Sequence, residues 1–162
     1  MHLNATTHPL TAPKLVASVL GIGYIGRGSG TIAAGLVVGL WIACGWAALP
    51  IVAVVVGTIV LGAVGVVAST HVEREWGVDS ARVVVDEVGG MAIALIGLPG
   101  GWAHALAAFA LFRLLDITKP LGIAQMEKLP GGWGVMGDDV LAGIYTNIAL
   151  QIVVLTGLWP AP

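Results

Sequence analysis

The sequence predicts an all-α integral membrane protein, a single domain of residues 1–162 with about five transmembrane helices and a polar N-terminal segment at residues 1–13. Of the 162 residues, 57% are hydrophobic and 10% are charged, a composition that soluble globular domains seldom show. Long apolar runs recur along the chain, and a run of roughly 20 residues is enough to cross a bilayer. The 24 glycines fit close packing of helices in lipid.

The first two predicted spans are residues 31–49 and 51–69, on either side of Pro50. Each is close in length to the roughly 20 residues that cross a hydrocarbon core of ~30 Å. Because a backbone in lipid must satisfy its own hydrogen bonds, both runs are predicted to be helices.

A polar loop at residues 71–80 precedes a predicted helical hairpin. Its arms are residues 81–98 and 102–119, joined by a Pro-Gly-Gly turn, and Pro120 ends the second arm. These third and fourth spans are candidates for short or re-entrant segments. The fifth span is residues 140–159, after a glycine-rich loop at residues 130–137.

The hairpin predicts that two of its acids meet. Asp86 lies 13 residues before Pro99, and Asp116 lies 13 residues after Ala103. At ~1.5 Å per residue, both acids are ~20 Å from the tip of the hairpin. We therefore expect them at the same depth, near one end of the helices.

The cations predict the orientation. All seven Lys and Arg residues fall on one side of the five-span arrangement, and the turns near Pro50 and Pro99 contain none. The positive-inside rule makes that side cytoplasmic, and the acids at the helix ends fall there too. The cations are scattered and build no patch, so nucleic-acid binding finds no support.

Five of the nine carboxylates lie at the edges of apolar runs. A carboxylate at mid-bilayer costs about 2.5–3.5 kcal/mol, so this placement calls for a chemical reason. Mg²⁺ is usually held by carboxylates, waters and substrate phosphate. We therefore predict a Mg²⁺ site whose metal-ligating and catalytic residues are Asp86, Glu87, Asp116, Asp138 and Asp139.

A structural explanation competes for each single acid. Asp138 or Asp139 could cap the N-terminus of the last helix. Asp116 could pair with Arg113 or Lys119, and Asp86 could pair with Arg82. These pairings explain the acids one at a time, but not why all five gather on one side.

Two elements are candidates to bind phosphate. Arg113, Asp116 and Lys119 recur every three residues and share a broad helix face. Upstream, the glycine-rich turn at residues 26–31 enters the first helix, where backbone N–H groups and the helix dipole favour anions. The predicted phosphate-binding residues are Arg113, Lys119, Arg27, Gly30 and Thr31.

Three segments in this order, residues 85–91, 112–120 and 131–143, strongly resemble the phosphatidylglycerophosphatase A family. The family pattern is an Asp-Glu pair, then Arg-Leu/Phe-x-Asp-x-x-Lys-Pro, then Gly-Gly-x-Gly-x-Met-x-Asp-Asp, and the similarity covers roughly residues 20 to 158. The resemblance implies Mg²⁺-dependent removal of the terminal phosphate of phosphatidylglycerophosphate, giving phosphatidylglycerol. It also implies a bacterial inner-membrane location, with phospholipid and bilayer as partners. The five acids, Arg113 and Lys119 match family positions.

The chain departs from the family at its first glycine-rich turn. The family usually reads Pro-x-x-Pro-Gly-Thr-x-Gly-Ser there, whereas residues 26–34 keep Gly30 and Thr31 and lack both prolines and the closing Gly-Ser. The head-group contacts of this turn are therefore not carried over.

Two other functions compete with a phosphatase. A small proton- or ion-coupled transporter would use the same carboxylates, but it predicts acids near the midplane and often inverted repeats. A CDP-alcohol phosphotransferase would carry an Asp-Gly-x-x-Ala-Arg core, which this chain lacks. For the phosphatase, attack by a metal-activated water and an aspartyl-phosphate route both stay open, as do the number of metals and a homo-oligomer.

Overall fold

A computed structural model describes residues 10–78 and 80–159, and in this part of the chain the regular structure is helical throughout. Residues 1–9, most of the predicted polar N-terminal segment, lie outside the described residues. Short 3₁₀ turns follow the first and second α-helices, at Ile22–Ile25 and Trp46–Ala48. The α-helices are α1 (Ala12–Ala17), α2 (Ser29–Ala43), α3 (Ile51–Trp76), α4 (Val85–Ala94), α5 (Trp102–Thr118), α6 (Ile123–Met126) and α7 (Gly132–Leu155).

Two of these helices, α3 and α7, are long and apolar enough to cross a membrane. Much of the apolar surface of α3 is exposed, since Val52, Ile59 and Val67 are 65–70% exposed. A continuous apolar surface of this kind fits contact with lipid. The predicted five-span topology is not confirmed, since α2 and α5 have 15 and 17 residues and α4 has 10.

The helix α3 is longer than the sequence predicts. It continues through the first six residues of the expected loop at 71–80 and ends at Trp76, where Gly77 has a φ of 86°. A positive φ of this size suits glycine, which has no Cβ, and the chain leaves the helix there.

The last helix, α7, begins eight residues earlier than predicted. Most of the predicted glycine-rich loop at residues 130–137 is therefore helical, and the loop prediction is wrong there. These glycines pack against neighbouring backbone: a Cβ on Gly132 would collide with the carbonyl oxygen of Val66, and one on Gly134 with that of Leu129. There is no room for a Cβ at these two positions, so they require glycine. The segment is therefore a helix packed tightly against its neighbours and not a loop. Gly131 occupies the N-cap position, so the idea that an aspartate caps this helix is wrong.

The short helix α4 lies at the centre of the bundle, packed against α2, α3, α5 and α7. At 10 residues it is about 15 Å long, half of a ~30 Å hydrocarbon core. Side-chain amides of α7 satisfy its C-terminal carbonyls: Asn147 Nδ2 donates to Ala94 O at 3.1 Å and to Ile96 O at 2.7 Å. Gln151 Nε2 also donates to Ile96 O, at 3.0 Å.

The main core joins α2, α4, α5 and α7 around fully buried side chains such as Met91 and Phe112. A second cluster joins α1, α3 and the start of α4. Together they fix the first turn of α4, the last turn of α5 and the second turn of α7 at the same end of the bundle.

Candidate active site

The first turn of α4 carries Asp86 and Glu87. Acids are favourable there because the helix dipole places partial positive charge at the N-terminus. The start of α2 lies directly against this pair, since a Cβ on Gly30 would collide with the Glu87 carboxylate. Gly30 therefore leaves the space that the Glu87 side chain occupies.

The last turns of α5 carry the basic residues. Arg113 Nη1 lies 2.7 Å from Asp116 Oδ2 and 4.0 Å from Glu87 Oε1. Lys119, the C-cap of α5, has a left-handed backbone with a φ of 46°. Pro120 follows it, as the sequence predicts, and prevents the helix from continuing.

Lys119 bridges two acids. Its Nζ lies 2.5 Å from Asp138 Oδ2 and 2.5 Å from Glu127 Oε1. Both carboxylates stabilise the positive charge of the Lys119 ammonium group. Glu127 is not among the site residues predicted from the sequence, because nothing in the local pattern places it beside Lys119.

The second turn of α7 carries Asp138 and Asp139, which are 7% and 2% exposed. The close contact of α4 with α7 positions them. A Cβ on Gly90 would collide with the backbone oxygen of Asp139, and one on Gly143 with that of Gly90. Gly90 lies one helical turn after Asp86, and Gly143 lies one turn after Asp139. This spacing is a signal in the sequence from which the contact of the two helices could be predicted.

The three helices bring the five acids into two overlapping groups. Asp86, Glu87 and Asp139 form one, and Asp116, Asp138 and Asp139 form the other. Within each group one oxygen per residue lies within 4.8 Å of the others, and Asp139 belongs to both. The expected meeting of Asp86 and Asp116 at one end of the hairpin is borne out, since both line the same cavity.

The donor set fits divalent cations. Within the described residues, buried oxygens of four acids have no hydrogen-bond partner, namely Asp86 Oδ1, Glu87 Oε2, Asp138 Oδ1 and Asp139 Oδ1. Such oxygens normally find a partner, and Arg113 and Lys119 are too few to neutralise five carboxylates. Hard oxygen ligands of this kind suit Mg²⁺ or Ca²⁺.

The acids open into a cavity of about 390 Å³. The glycine-rich turn before α2 forms another part of its wall, and Arg27 there is exposed. Thr31 is also exposed and is not among the lining residues. The predicted site residues that line the cavity are Arg27, Gly30, Asp86, Glu87, Arg113, Asp116, Lys119, Asp138 and Asp139.

Comparison with known proteins identifies relatives of this chain. Residues 15–154 match the family model described as phosphatidylglycerophosphatase A. No solved structure matches the chain.

Three relatives illustrate the similarity. A protein of Bacteroides thetaiotaomicron, named as a candidate phosphatidylinositol-3-phosphatase, is 40% identical over 89% of this chain and 94% of its own. The phosphatidylglycerophosphatase A of Haemophilus influenzae is 49% identical over 44% of this chain and 45% of its own. That of Escherichia coli is 36% identical over 56% of this chain and 54% of its own. These relatives give no support to a transporter.

Proposed function

The chain belongs to the phosphatidylglycerophosphatase A family and is a phosphatase, and from this membership we propose that it hydrolyses the terminal phosphate of phosphatidylglycerophosphate with Mg²⁺ as cofactor. The product would be phosphatidylglycerol. One observation carries the proposal: five carboxylates from three helices converge on a cavity that also contains Arg113 and Lys119.

The substrate phosphate would lie between the acids and the cations of this cavity. The Nε atom of Arg113 is buried and has no partner within the described part of the chain, so it can donate to a phosphate oxygen. Arg27 and Lys119 add positive charge at the wall. The first N–H groups of α2, near Gly30, point the positive end of a 15-residue helix toward the cavity.

Hydrolysis joins an oxygen of water to phosphorus and breaks the bond from phosphorus to the glycerol oxygen, which takes up a proton. When bound to the carboxylates, Mg²⁺ supplies Lewis-acid polarisation of the phosphoryl oxygens. Arg113 and Lys119 stabilise the charge on the equatorial oxygens as the bond breaks. A carboxylate at the cavity wall accepts the proton that the attacking water loses. An aspartyl-phosphate intermediate is the alternative route.

We also propose a location, the bacterial inner membrane, with several passes and with the cavity open to the cytoplasm. The support is the pair of long apolar helices and the confinement of all Lys and Arg to one side of the sequence-based topology.

A second lipid is a candidate because of one relative. The Bacteroides thetaiotaomicron protein, whose alignment covers most of both chains, is named for phosphatidylinositol 3-phosphate. Both lipids present a phosphate monoester on an alcohol, so the same carboxylates and cations would serve either. The altered glycine-rich turn at residues 26–34 is where the two head groups would be distinguished.

The test is phosphate release by detergent-purified protein from each lipid, with Mg²⁺, with EDTA, and with Mg²⁺ restored after EDTA. We expect release from phosphatidylglycerophosphate that stops on chelation and returns with Mg²⁺. Asp116→Asn protein, purified in the same way, controls for contaminating phosphatases. Preferential release from phosphatidylinositol 3-phosphate would reassign the substrate, and EDTA-resistant release would refute the cofactor.

A further inference from the structure

An apolar groove of about 510 Å³ runs between α3 and the segment that leads from α6 into α7. Six residues of α3, from Val55 to Val66, form one wall. The opposite wall is formed by residues between Met126 and Val140, with two residues from the end of α4 and the turn after it. The groove thus lies beside the helix that carries Asp138 and Asp139.

The lining of this groove has the chemistry of hydrocarbon. The described residues that form it are aliphatic residues, glycine, methionine and tryptophan, with the single exception of Thr58. The Thr58 Oγ1 donates to Val54 O of its own helix at 2.9 Å, so its hydroxyl proton is already used. A polar head group would find no partner along these walls, whereas an alkyl chain would.

The groove lies close to the acidic cavity. A smaller cavity of about 250 Å³ lies between them. Leu129 lines both this cavity and the groove, and Asp138 lines both this cavity and the acidic one. The groove, the smaller cavity and the acidic cavity are therefore neighbours in this order.

The groove is long enough to hold much of an acyl chain. Val55 and Val66 mark its two ends on α3, and they are separated by about 16 Å along the helix axis. This is half of a hydrocarbon core of ~30 Å. A lipid chain that enters at the level of Val66 could extend along the groove for this distance, across the middle of the predicted span at residues 51–69.

We propose that this groove holds one acyl chain of the phospholipid substrate while the phosphate lies among the five carboxylates. The inference rests on the proposed function, since it concerns the lipid that is hydrolysed. The groove makes a long chain part of substrate recognition, so chain length changes the efficiency of phosphate release.

Two glycines of α3 provide a matched test. A Cβ on Gly62 or on Gly57 would meet no atom within 4 Å, so a larger side chain can be added without displacing the backbone. Gly62 lines the groove, and Gly57 does not. Gly62→Leu therefore fills the groove, while Gly57→Leu adds the same side chain to the same helix elsewhere.

The readout is the ratio of kcat/KM for dipalmitoyl over dihexanoyl phosphatidylglycerophosphate. Gly62→Leu should lower this ratio on the order of tenfold, the effect of losing contact with about two methylene groups. Gly57→Leu should keep the wild-type ratio. Equal ratios in the two variants would overturn the proposal.

A binding experiment separates this inference from the proposed reaction. Phosphatidylglycerophosphate with a diazirine midway along one acyl chain should crosslink to residues 55–66 and 126–140. Unlabelled phosphatidylglycerophosphate should compete, and phosphatidylcholine should not. Labelling elsewhere, or equal competition by phosphatidylcholine, would overturn the groove. Selective labelling without phosphate release would refute the reaction and support the groove.

Discussion

At the residue scale, Asp139 is the point where the two groups of acids meet. It is 2% exposed, and a buried oxygen of its carboxylate has no partner within the described residues. Five carboxylates this close repel one another, and Arg113 and Lys119 offset only part of that repulsion. A bound divalent cation would therefore both complete the site and stabilise the fold.

Asp139→Asn should lower kcat by a factor on the order of 10² or more. Removal of one group that stabilises charge in the transition state has an effect of about this size. If Mg²⁺ binds as proposed, it should raise the Tm of the wild type, and Asp139→Asn should abolish this rise because the proposed shared ligand is lost. At 100 times Kd a ligand stabilises by about 2.7 kcal/mol, a shift of several degrees. Phosphate release and thermal unfolding with and without Mg²⁺ measure the two effects.

Glu75→Gln is the matched control, because it removes one carboxylate from α3 that lines neither the acidic cavity nor the smaller cavity beside it. It should keep both activity and the Mg²⁺-dependent shift in Tm. If Asp139→Asn retained that shift, the assignment of Asp139 as a shared ligand would be wrong.

At the element scale, the contact of α4 with α7 brings the acids together. Gly90 and Gly143 let the two backbones approach more closely than any side chain would allow. The nearest obstacle to a Cβ at each glycine is a backbone oxygen, which cannot rotate away.

Gly143→Ala should therefore separate the two helices, lower activity at least tenfold and lower Tm. Gly39→Ala in α2 is the control, since a Cβ there meets nothing within 4 Å. That variant should be neutral or gain about 0.5–1 kcal/mol, the usual effect of replacing glycine in a helix. Equal behaviour of the two variants in activity assays and thermal unfolding would contradict the role of this contact.

The end of α4 depends on α7 in a second way. A helix that ends in an apolar environment leaves carbonyls that need donors. Asn147→Leu should cost about 1–3 kcal/mol, because Ala94 O then loses its side-chain donor. Ile96 O keeps the amide of Gln151.

Tyr145→Phe provides the comparison for this variant. It removes a hydrogen bond of 3.1 Å to Leu121 O that is exposed, so its Tm should stay near that of the wild type. Thermal unfolding in detergent compares the two, and a Tyr145→Phe loss as large as that of Asn147→Leu would contradict the explanation from burial.

At the scale of the whole molecule, the acids, Arg113 and Lys119 gather at one end of the helices, and α3 exposes apolar side chains along most of its length. Such a separation of polar and apolar surfaces is what we expect of a protein in contact with a bilayer.

The proposed orientation predicts cysteine accessibility. With Cys44 replaced by serine, Gly100→Cys should react with an impermeant maleimide in intact spheroplasts. Val78→Cys, in the loop before α4, should react only after the membrane is permeabilised. The reverse pattern would place the acidic cavity on the outer side and contradict the positive-inside assignment.

The helical class and the gathering of the acids were predictable from the sequence. Hydropathy along a run of residues and the constant rise of a helix per residue are local properties, so they place Asp86 and Asp116 at one end of a hairpin. The order of the three motifs was enough to identify the family. The pairings expected from spacing were partly right, since Arg113 does pair with Asp116.

The tertiary structure alone decided where α7 begins, which acid the two groups share and which carboxylates Lys119 bridges. A glycine-rich segment is equally compatible with a loop and with a tightly packed helix. The choice depends on backbone that is remote in sequence, such as the carbonyl of Val66 against Gly132. Helix propensity is a local property, whereas close packing depends on two segments together. The acids of the site could therefore be predicted from the sequence, but their positions relative to one another could not.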